Sequence, residues 1–275
     1  MNISDLKSNW HTHNFRCRHA TGDFADYALA AREAGLTVLG ISDHSPTPDN
    51  RNAGVRMLYS ELEGYVDGFL AARDSVPGVE LHLGIELEHY GDILPGFAEE
   101  LLAAGIEYIA GAPHCFTMPD GKLESTWSAK PAEELPRHVL AYGDSVAAMV
   151  ESGLYAFIAH PDLFGIFCDS WLPECAAAAH KIARAARECG IPLELNSSGF
   201  QRPWKTDALT GESHPPYPWE PFWKIVGEEG ATVIVNSDAH SPDLIVQRFD
   251  DALGLCARCG IEPAVFTGVS CNRLR

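Results

Sequence analysis

Residues 38–44 read Val38-Leu39-Gly40-Ile41-Ser42-Asp43-His44, a short apolar run with a carboxylate and an imidazole directly behind it. An apolar run of this length is typical of a strand that is buried on both faces of a parallel sheet. Apolar residues recur at helical spacing before it, over 23–34, and after it, over 57–74. One strand between two helices is therefore the unit from which the fold is predicted.

The same alternation of strand and helix continues along the chain. Further strands are predicted at residues 8–11, 80–85, 108–111, 156–159, 192–195 and 232–235, and residues 265–266 are a candidate for a last one. Further helices are predicted at residues 97–104, 132–152, 175–189, 221–229 and 244–259, and residues 201–219 are predicted to form a long loop. Regular alternation predicts a mostly parallel sheet covered by helices, and 275 residues suit one α/β barrel domain over residues 1–275.

Potential metal ligands directly follow six of the seven predicted strands. They are, in chain order, His11 and His13, Asp43 and His44, Glu86 and Glu88, His114, His160, and Asp238 and His240. The carboxyl ends of the strands of an α/β barrel meet at one mouth, so these side chains are expected to cluster there. Residues two apart in an extended chain point to the same side, so each of the pairs at 11/13 and 238/240 could hold one ion.

A structural role is the simpler interpretation for any single histidine, because imidazoles are often half-buried and hydrogen-bonded. That interpretation is given to five histidines that do not follow strand ends, His82, His89, His138, His180 and His214. It does not explain why the others recur at the same end of successive strands. A cluster of neutral imidazoles and carboxylates suits borderline divalent metals such as Zn, Fe or Mn.

Charge and cysteine usage limit the class of protein. The net charge of −18 argues against nucleic-acid and anionic-membrane partners, which require clustered Lys and Arg. The chain shows no export signal and no apolar segment near the roughly 20 residues that span a bilayer. Eight scattered cysteines, with Cys256 and Cys259 interpreted as ordinary thiols, suit a reducing cytoplasm. An acidic protein should repel a substrate that carries a phosphate. If the substrate is one, bound divalent cations would reverse the sign of the local field, which favours a metal site.

The predicted ligands fall in an ordered set of motifs: His11-Thr12-His13, Ser42-Asp43-His44, Gly84-Ile85-Glu86, Pro113-His114, Ala159-His160-Pro161 and Ser237-Asp238-Ala239-His240. This set resembles that of the polymerase-and-histidinol-phosphatase (PHP) metallohydrolases. Three stretches look like those of the subgroup that hydrolyses histidinol phosphate. They are residues 43–46 with Arg56-Met57, residues 194–199 with Arg202-Pro203, and Tyr217-Pro218. Ser197 departs from the threonine usual in that subgroup, and the insert at 204–216 is long. The resemblance implies a distorted (β/α)7 TIM-like barrel.

The same resemblance implies three divalent metal ions and assigns their ligands. The first ion would be held by His11, His13, Glu86 and Asp238, the second by Glu86, His114 and His160, and the third by His19, His44 and His240. A metal-bridging hydroxide would attack the phosphorus of L-histidinol phosphate and release L-histidinol and inorganic phosphate, a reaction of histidine biosynthesis. Glu86, Asp238, His160 and Arg202 are the expected catalytic residues, with Arg202 preferred over Arg18, Arg56 and Arg248 as the phosphate clamp.

Two other functions remain open at this stage. A phosphoesterase acting on nucleotides or another small phosphate ester would use the same metal ligands. A non-catalytic metal-binding domain is the other alternative, and the complete ligand set argues against it. The sequence leaves the identity of the metal and the oligomeric state open.

Overall fold

Seven parallel strands form a nearly closed barrel in the computed structural model, which describes residues 6–94 and 96–266. Seven of the eleven strands in the described residues belong to the barrel, and the other four form two hairpins. The eleven strands are Ser8–Asn9 (β1), Val38–Ile41 (β2), Glu80–Leu87 (β3), Tyr108–Gly111 (β4), Cys115–Thr117 (β5), Leu123–Ser125 (β6), Phe157–Ile158 (β7), Leu193–Asn196 (β8), Lys205–Thr206 (β9), Ser213–His214 (β10) and Val233–Asn236 (β11). The barrel order is β1-β2-β3-β4-β7-β8-β11. The predicted fold is therefore confirmed, while the prediction of one domain over residues 1–275 includes residues outside these ranges.

The first and last barrel strands meet just beyond their carboxyl ends. Thr12 and Ala239 form a parallel bridge there, and the backbone N–H of His13 donates to the carbonyl of Ala239 at 2.9 Å. The backbone N–H of Trp10 donates to Oδ1 of Asn236 at 2.8 Å. These contacts join the two sides of the barrel at the level of the predicted metal ligands.

Helices connect the strands and cover the outside of the barrel. They are Phe24–Glu33 (α1), Leu62–Ala72 (α2), Gly96–Ala103 (α3), Leu135–Ser152 (α4), Pro173–Cys189 (α5), Glu220–Glu229 (α6) and Phe249–Arg258 (α7). Asp23 caps the start of α1 with its carboxylate, as acidic residues commonly do. Within the described part of the chain, no helix combines the length and apolar character needed to cross a membrane.

The lower half of the barrel interior is packed with aromatic and aliphatic side chains. We call this cluster the barrel floor; it contains Trp10, Tyr108, Phe157 and Ile234. Tyr108 lies so close to β3 that a Cβ atom on Gly84 would be 2.1 Å from its Cζ atom. Its hydroxyl donates to the carbonyl of Trp10 at 2.7 Å. A residue larger than glycine at position 84 would collide with this ring.

Several predicted boundaries were wrong for local reasons. Residues 265–266 do not form a strand; the Phe266 ring instead packs edge-on against Trp10, with 5.1 Å between ring centroids. Helix α7 starts at Phe249 and not at residue 244, because residues 242–244 form a 3-10 turn and Arg248 has a left-handed φ of 54°. The predicted plain loop at 201–219 contains the β9–β10 hairpin.

Two further features concern the remaining predictions. The β5–β6 hairpin directly after His114 was not predicted from the sequence. The cysteines within the described ranges are free thiols, with Cys256 buried and Cys259 partly buried, and Cys271 lies outside those ranges.

Candidate metal centre

The predicted ligands lie together at the carboxyl ends of the barrel strands. Seven of the nine line a cavity of about 960 Å³, while His11 and His13 are fully buried. His11 and His13 follow β1, His44 follows β2, and Glu86 lies near the end of β3. The connections after β4, β7 and β11 supply His114, His160, Asp238 and His240. A cavity of this size suits a small-molecule ligand.

Glu86 is the central carboxylate of the cluster and is only 1% exposed. Its Oε1 atom lies 3.0 Å from Nε2 of His160, 3.4 Å from Nε2 of His11 and 3.6 Å from Nε2 of His114. Its Oε2 atom lies 2.5 Å from Nδ1 of His44. One carboxylate that faces several imidazoles in this way could be shared between two ions.

Asp238 completes the group around His11 and His13. Its Oδ1 atom lies 2.9 Å from Nε2 of His13 and 3.6 Å from Nε2 of His11. The backbone is left-handed at Asp238, with a φ of 50°, and at His160, with a φ of 31°. Non-glycine residues rarely adopt such angles, and their occurrence at two ligand positions marks a site that the surrounding structure holds in place.

His19 joins the cluster from a loop and not from a strand end. Its Nε2 atom lies 3.1 Å from Nε2 of His240, and its ring lies 5.2 Å from the ring of His44. The structure thus brings together the three residues that were assigned to a third ion. His19 is exposed and His240 is partly buried, whereas His44 is buried against Glu86.

The donor atoms fit divalent cations. The ligating atoms of His11, His13 and Glu86 lie within 4.8 Å of one another, as do those of His11, His160 and Asp238. The Nε2 atoms of His11 and His13 are 3.1 Å apart, and two imidazole nitrogens at that distance must share a proton or a cation. Within the described ranges, Oε2 of Glu86 and Oδ1 of Asp238 are buried, and their contacts are with the imidazoles of His44 and His13.

Three buried carboxylates orient the imidazoles from behind. The Nδ1 atom of His11 contacts Glu194 at 2.9 Å, that of His13 contacts Asp43 at 3.2 Å, and that of His114 contacts Glu88 at 2.8 Å. In each case the Nε2 atom is left facing the cluster. This carboxylate–imidazole arrangement is typical of metal-binding histidines, because it fixes the tautomer and the ring orientation.

Glu194 was not among the predicted site residues. It lies in the interior of β8 and also accepts hydrogen bonds from the side chains of Asn196 and Asn236, both at 2.9 Å. The sequence signal that could have identified it is a charged residue flanked by Leu193 and Leu195 in a buried strand. A carboxylate is buried in such a position only when it is paired or hydrogen-bonded.

Electrostatics in the cluster favour bound cations. Burial lowers the pKa of His114 and of His240 to about 3, so both rings are neutral, as metal ligands must be. Burial alone would raise the pKa of Glu86, but the surrounding imidazoles hold it well below the usual value. At His13, burial opposes protonation and the contacts with Asp238 and Asp43 outweigh it, which raises its pKa to about 9. The carboxylates therefore create a site that stabilises positive charge.

The four arginines considered as phosphate clamps differ in position. Arg202 lines the cavity and is exposed, with its guanidinium carbon 5.0 Å from the ring centroid of Trp127. Arg56 also lines the cavity but is buried and paired with Glu88. Arg18 and Arg248 pair with Glu61 and Asp251 and are not among the residues that line the cavity. None of the histidines interpreted as structural lines the cavity.

A TIM-like barrel with buried imidazoles and carboxylates at its mouth defines a metal-dependent hydrolase. The chain belongs to the PHP domain family, whose model matches residues 9–198. The predicted family and the predicted class, a phosphoric monoester hydrolase, are confirmed.

Individual relatives agree with this assignment. A protein of Deinococcus radiodurans named "Probable histidinol-phosphatase" is 29% identical over 254 residues, which cover 88% of this chain and 90% of that protein. A Schizosaccharomyces pombe protein of the same name is 21% identical, with 93% of this chain and 87% of that protein covered. A solved histidinol phosphate phosphatase from Lactococcus lactis, complexed with Zn, L-histidinol and phosphate, superposes with a TM-score of 0.69 at 14% identity, covering 96% of this chain and 99% of that one.

Proposed function

We propose that this chain hydrolyses L-histidinol phosphate to L-histidinol and inorganic phosphate, a reaction of histidine biosynthesis, at a site for three divalent metal ions. The observation that carries the proposal is the convergence of nine ligand-type side chains at the mouth of the barrel. Seven of them line one cavity, and Glu86 contacts several of the imidazoles. The choice of substrate is supported by the relatives, two of which are named as probable histidinol-phosphatases. The Lactococcus lactis structure is described as holding zinc and both products of that reaction.

The three ions would be held by overlapping sets of residues. His11, His13, Glu86 and Asp238 would hold the first, and Glu86 with His114 and His160 the second. His19, His44 and His240 would hold the third. Zn, Fe and Mn are all compatible with a donor set of imidazoles and carboxylates.

Ions bound there would make water acidic enough to supply hydroxide near pH 7 and would take up negative charge on the phosphoryl oxygens. The chain itself would perform the positioning. Glu194, Asp43 and Glu88 keep three imidazoles turned toward the cavity. Arg202, at the rim, would bind phosphoryl oxygens through its guanidinium group. Direct transfer of the phosphoryl group to water requires no covalent intermediate on the protein.

The test is phosphate release by the purified full-length chain, supplied with Mn or Zn, from a panel of phosphomonoesters. The panel contains histidinol phosphate, nucleoside monophosphates, sugar phosphates and p-nitrophenyl phosphate. We expect the highest kcat/KM for histidinol phosphate and loss of activity after chelation, with recovery when metal is returned. A kcat/KM for histidinol phosphate no higher than that for p-nitrophenyl phosphate would exclude the substrate, and a preference for a nucleotide would favour the alternative phosphoesterase.

A further inference from the structure

The cavity is lined by apolar as well as polar side chains. Three large apolar side chains in its lining are unusually exposed: Val55 (48%), Leu123 (48%) and Trp127 (45%). Polar side chains in the same lining include Gln201 and Arg202. Large apolar side chains that line the same cavity mark a ligand-binding surface more often than chance exposure.

Trp127 is held in place by the segment that carries a predicted metal ligand. The neighbouring Thr126 is fully buried, and its hydroxyl donates to the carbonyl of Pro113 at 2.7 Å. The backbone N–H of Thr126 donates to the carbonyl of His114 at 2.9 Å. The Trp127 ring therefore stays 6.3 Å from the His114 ring although nearly half of the residue is exposed.

The Trp127 ring already takes part in a contact of the kind that a planar cationic group would make. The Arg202 guanidinium lies 5.0 Å from its centroid. Guanidinium and imidazolium groups are both flat and positively charged, and both are attracted to the negative face of an indole. A phosphoryl group on the floor of the cavity would leave the rest of the ester at the level of this ring.

We propose that Trp127 is the platform on which the planar ring of the leaving group stacks, and that it determines specificity for ring-bearing phosphomonoesters. This inference rests on the proposed phosphatase function and adds the part of the site that recognises the alcohol. Leu123 and Val55 exclude water from the edge of the stacked ring. Arg202, beside the stacked ring, contacts the phosphoryl group.

The experiment compares W127L, which keeps an apolar side chain but removes the ring, with W127F, which keeps a ring. L209A is the control, because Leu209 is 69% exposed and does not line the cavity. Three esters are used: histidinol phosphate, p-nitrophenyl phosphate and 2-aminoethyl phosphate, which has an ammonium group but no ring. Thermal unfolding confirms that each variant is folded before the kinetics are compared.

We expect W127L to raise KM about tenfold for both ring-bearing esters, with kcat within about twofold and no change for 2-aminoethyl phosphate. W127F keeps a ring and should therefore raise KM less than W127L, whereas L209A should behave like the unmodified chain. Equal KM shifts for all three esters would indicate an effect through Arg202 and overturn the proposal, as would unchanged KM values. Failure of the proposed function would look different: the unmodified chain would not prefer histidinol phosphate, while W127L would still raise KM for p-nitrophenyl phosphate.

Discussion

The floor and the mouth of the barrel are both formed by side chains that point inward from the strands. In the floor these side chains are apolar and aromatic, whereas in the mouth they are ionisable. On β3, Gly84 leaves space for the Tyr108 ring in the floor. Glu86, two residues later on the same face of the strand, lies in the mouth. Burying a carboxylate costs free energy unless it is paired, whereas burying aromatic rings stabilises the fold. The floor therefore maintains the fold, and the mouth contains buried charges of the kind that bind a cation.

The largest expected effect is on catalysis at the mouth. Replacing Glu86 by Ala removes the carboxylate that faces several imidazoles, and kcat should fall on the order of 10³-fold without loss of the folded state. The measurement is phosphate release together with thermal unfolding. Glu80→Ala is the matched control, since Glu80 is an exposed carboxylate at the other end of the same strand. Full activity in the Glu86 variant would remove the basis of the proposed site.

The second prediction concerns the floor, where a substitution should reduce stability. Tyr108→Ala should lower the free energy of unfolding by about 3–5 kcal/mol, because it leaves a cavity between the strands. Tyr108→Phe keeps the ring, loses only the hydrogen bond to Trp10, and should cost about 1 kcal/mol. Urea unfolding measures both. If Tyr108→Phe reduced kcat as strongly as a ligand replacement, the separation between floor and mouth would not hold.

The third prediction concerns a group behind the ligands. Glu194→Gln keeps the size of the side chain but removes the charge that orients His11, and activity or metal affinity should fall about 10–100-fold. Metal content by mass spectrometry and kcat at saturating metal separate the two effects. An unchanged metal content together with unchanged kcat would show that the contact at 2.9 Å has no part in ligand orientation.

The smallest effect is expected at the rim. Arg202→Ala should weaken competitive inhibition by inorganic phosphate about tenfold, because it removes a charge-assisted contact. Arg248→Ala serves as the control, since Arg248 pairs with Asp251 and lies outside the cavity lining. Phosphate inhibition that is equally strong in both variants would show that Arg202 is not the clamp, and Arg56 would become the candidate.

The barrel and most of the candidate site could be predicted because their signals are local. A buried parallel strand is a short apolar run, and the residue that follows it must lie at the mouth. Asp238 and His160 were found in this way although their left-handed backbone angles are visible only in the structure.

The remainder depends on contacts between distant parts of the chain. His19 lies on a loop and reaches the cluster only because that loop folds toward His240. The role of Glu194 could be predicted only by knowing which strand faces His11. The β5–β6 hairpin was missed because its short strands show no strong alternation of apolar and polar residues. The prediction of a helix over 244–259 was wrong at its start. A left-handed residue, Arg248, separates the 3-10 turn from α7.

The closure of the barrel between Thr12 and Ala239 has a consequence for how the molecule acquires activity. Asn9 and Ser237, which hydrogen-bond at 2.6 Å beside this closure, are 228 positions apart in the sequence. Closing so long a loop costs chain entropy, which other native contacts must offset first. We therefore expect His11 and Asp238 to meet only as the barrel closes, so that activity develops together with the completed barrel.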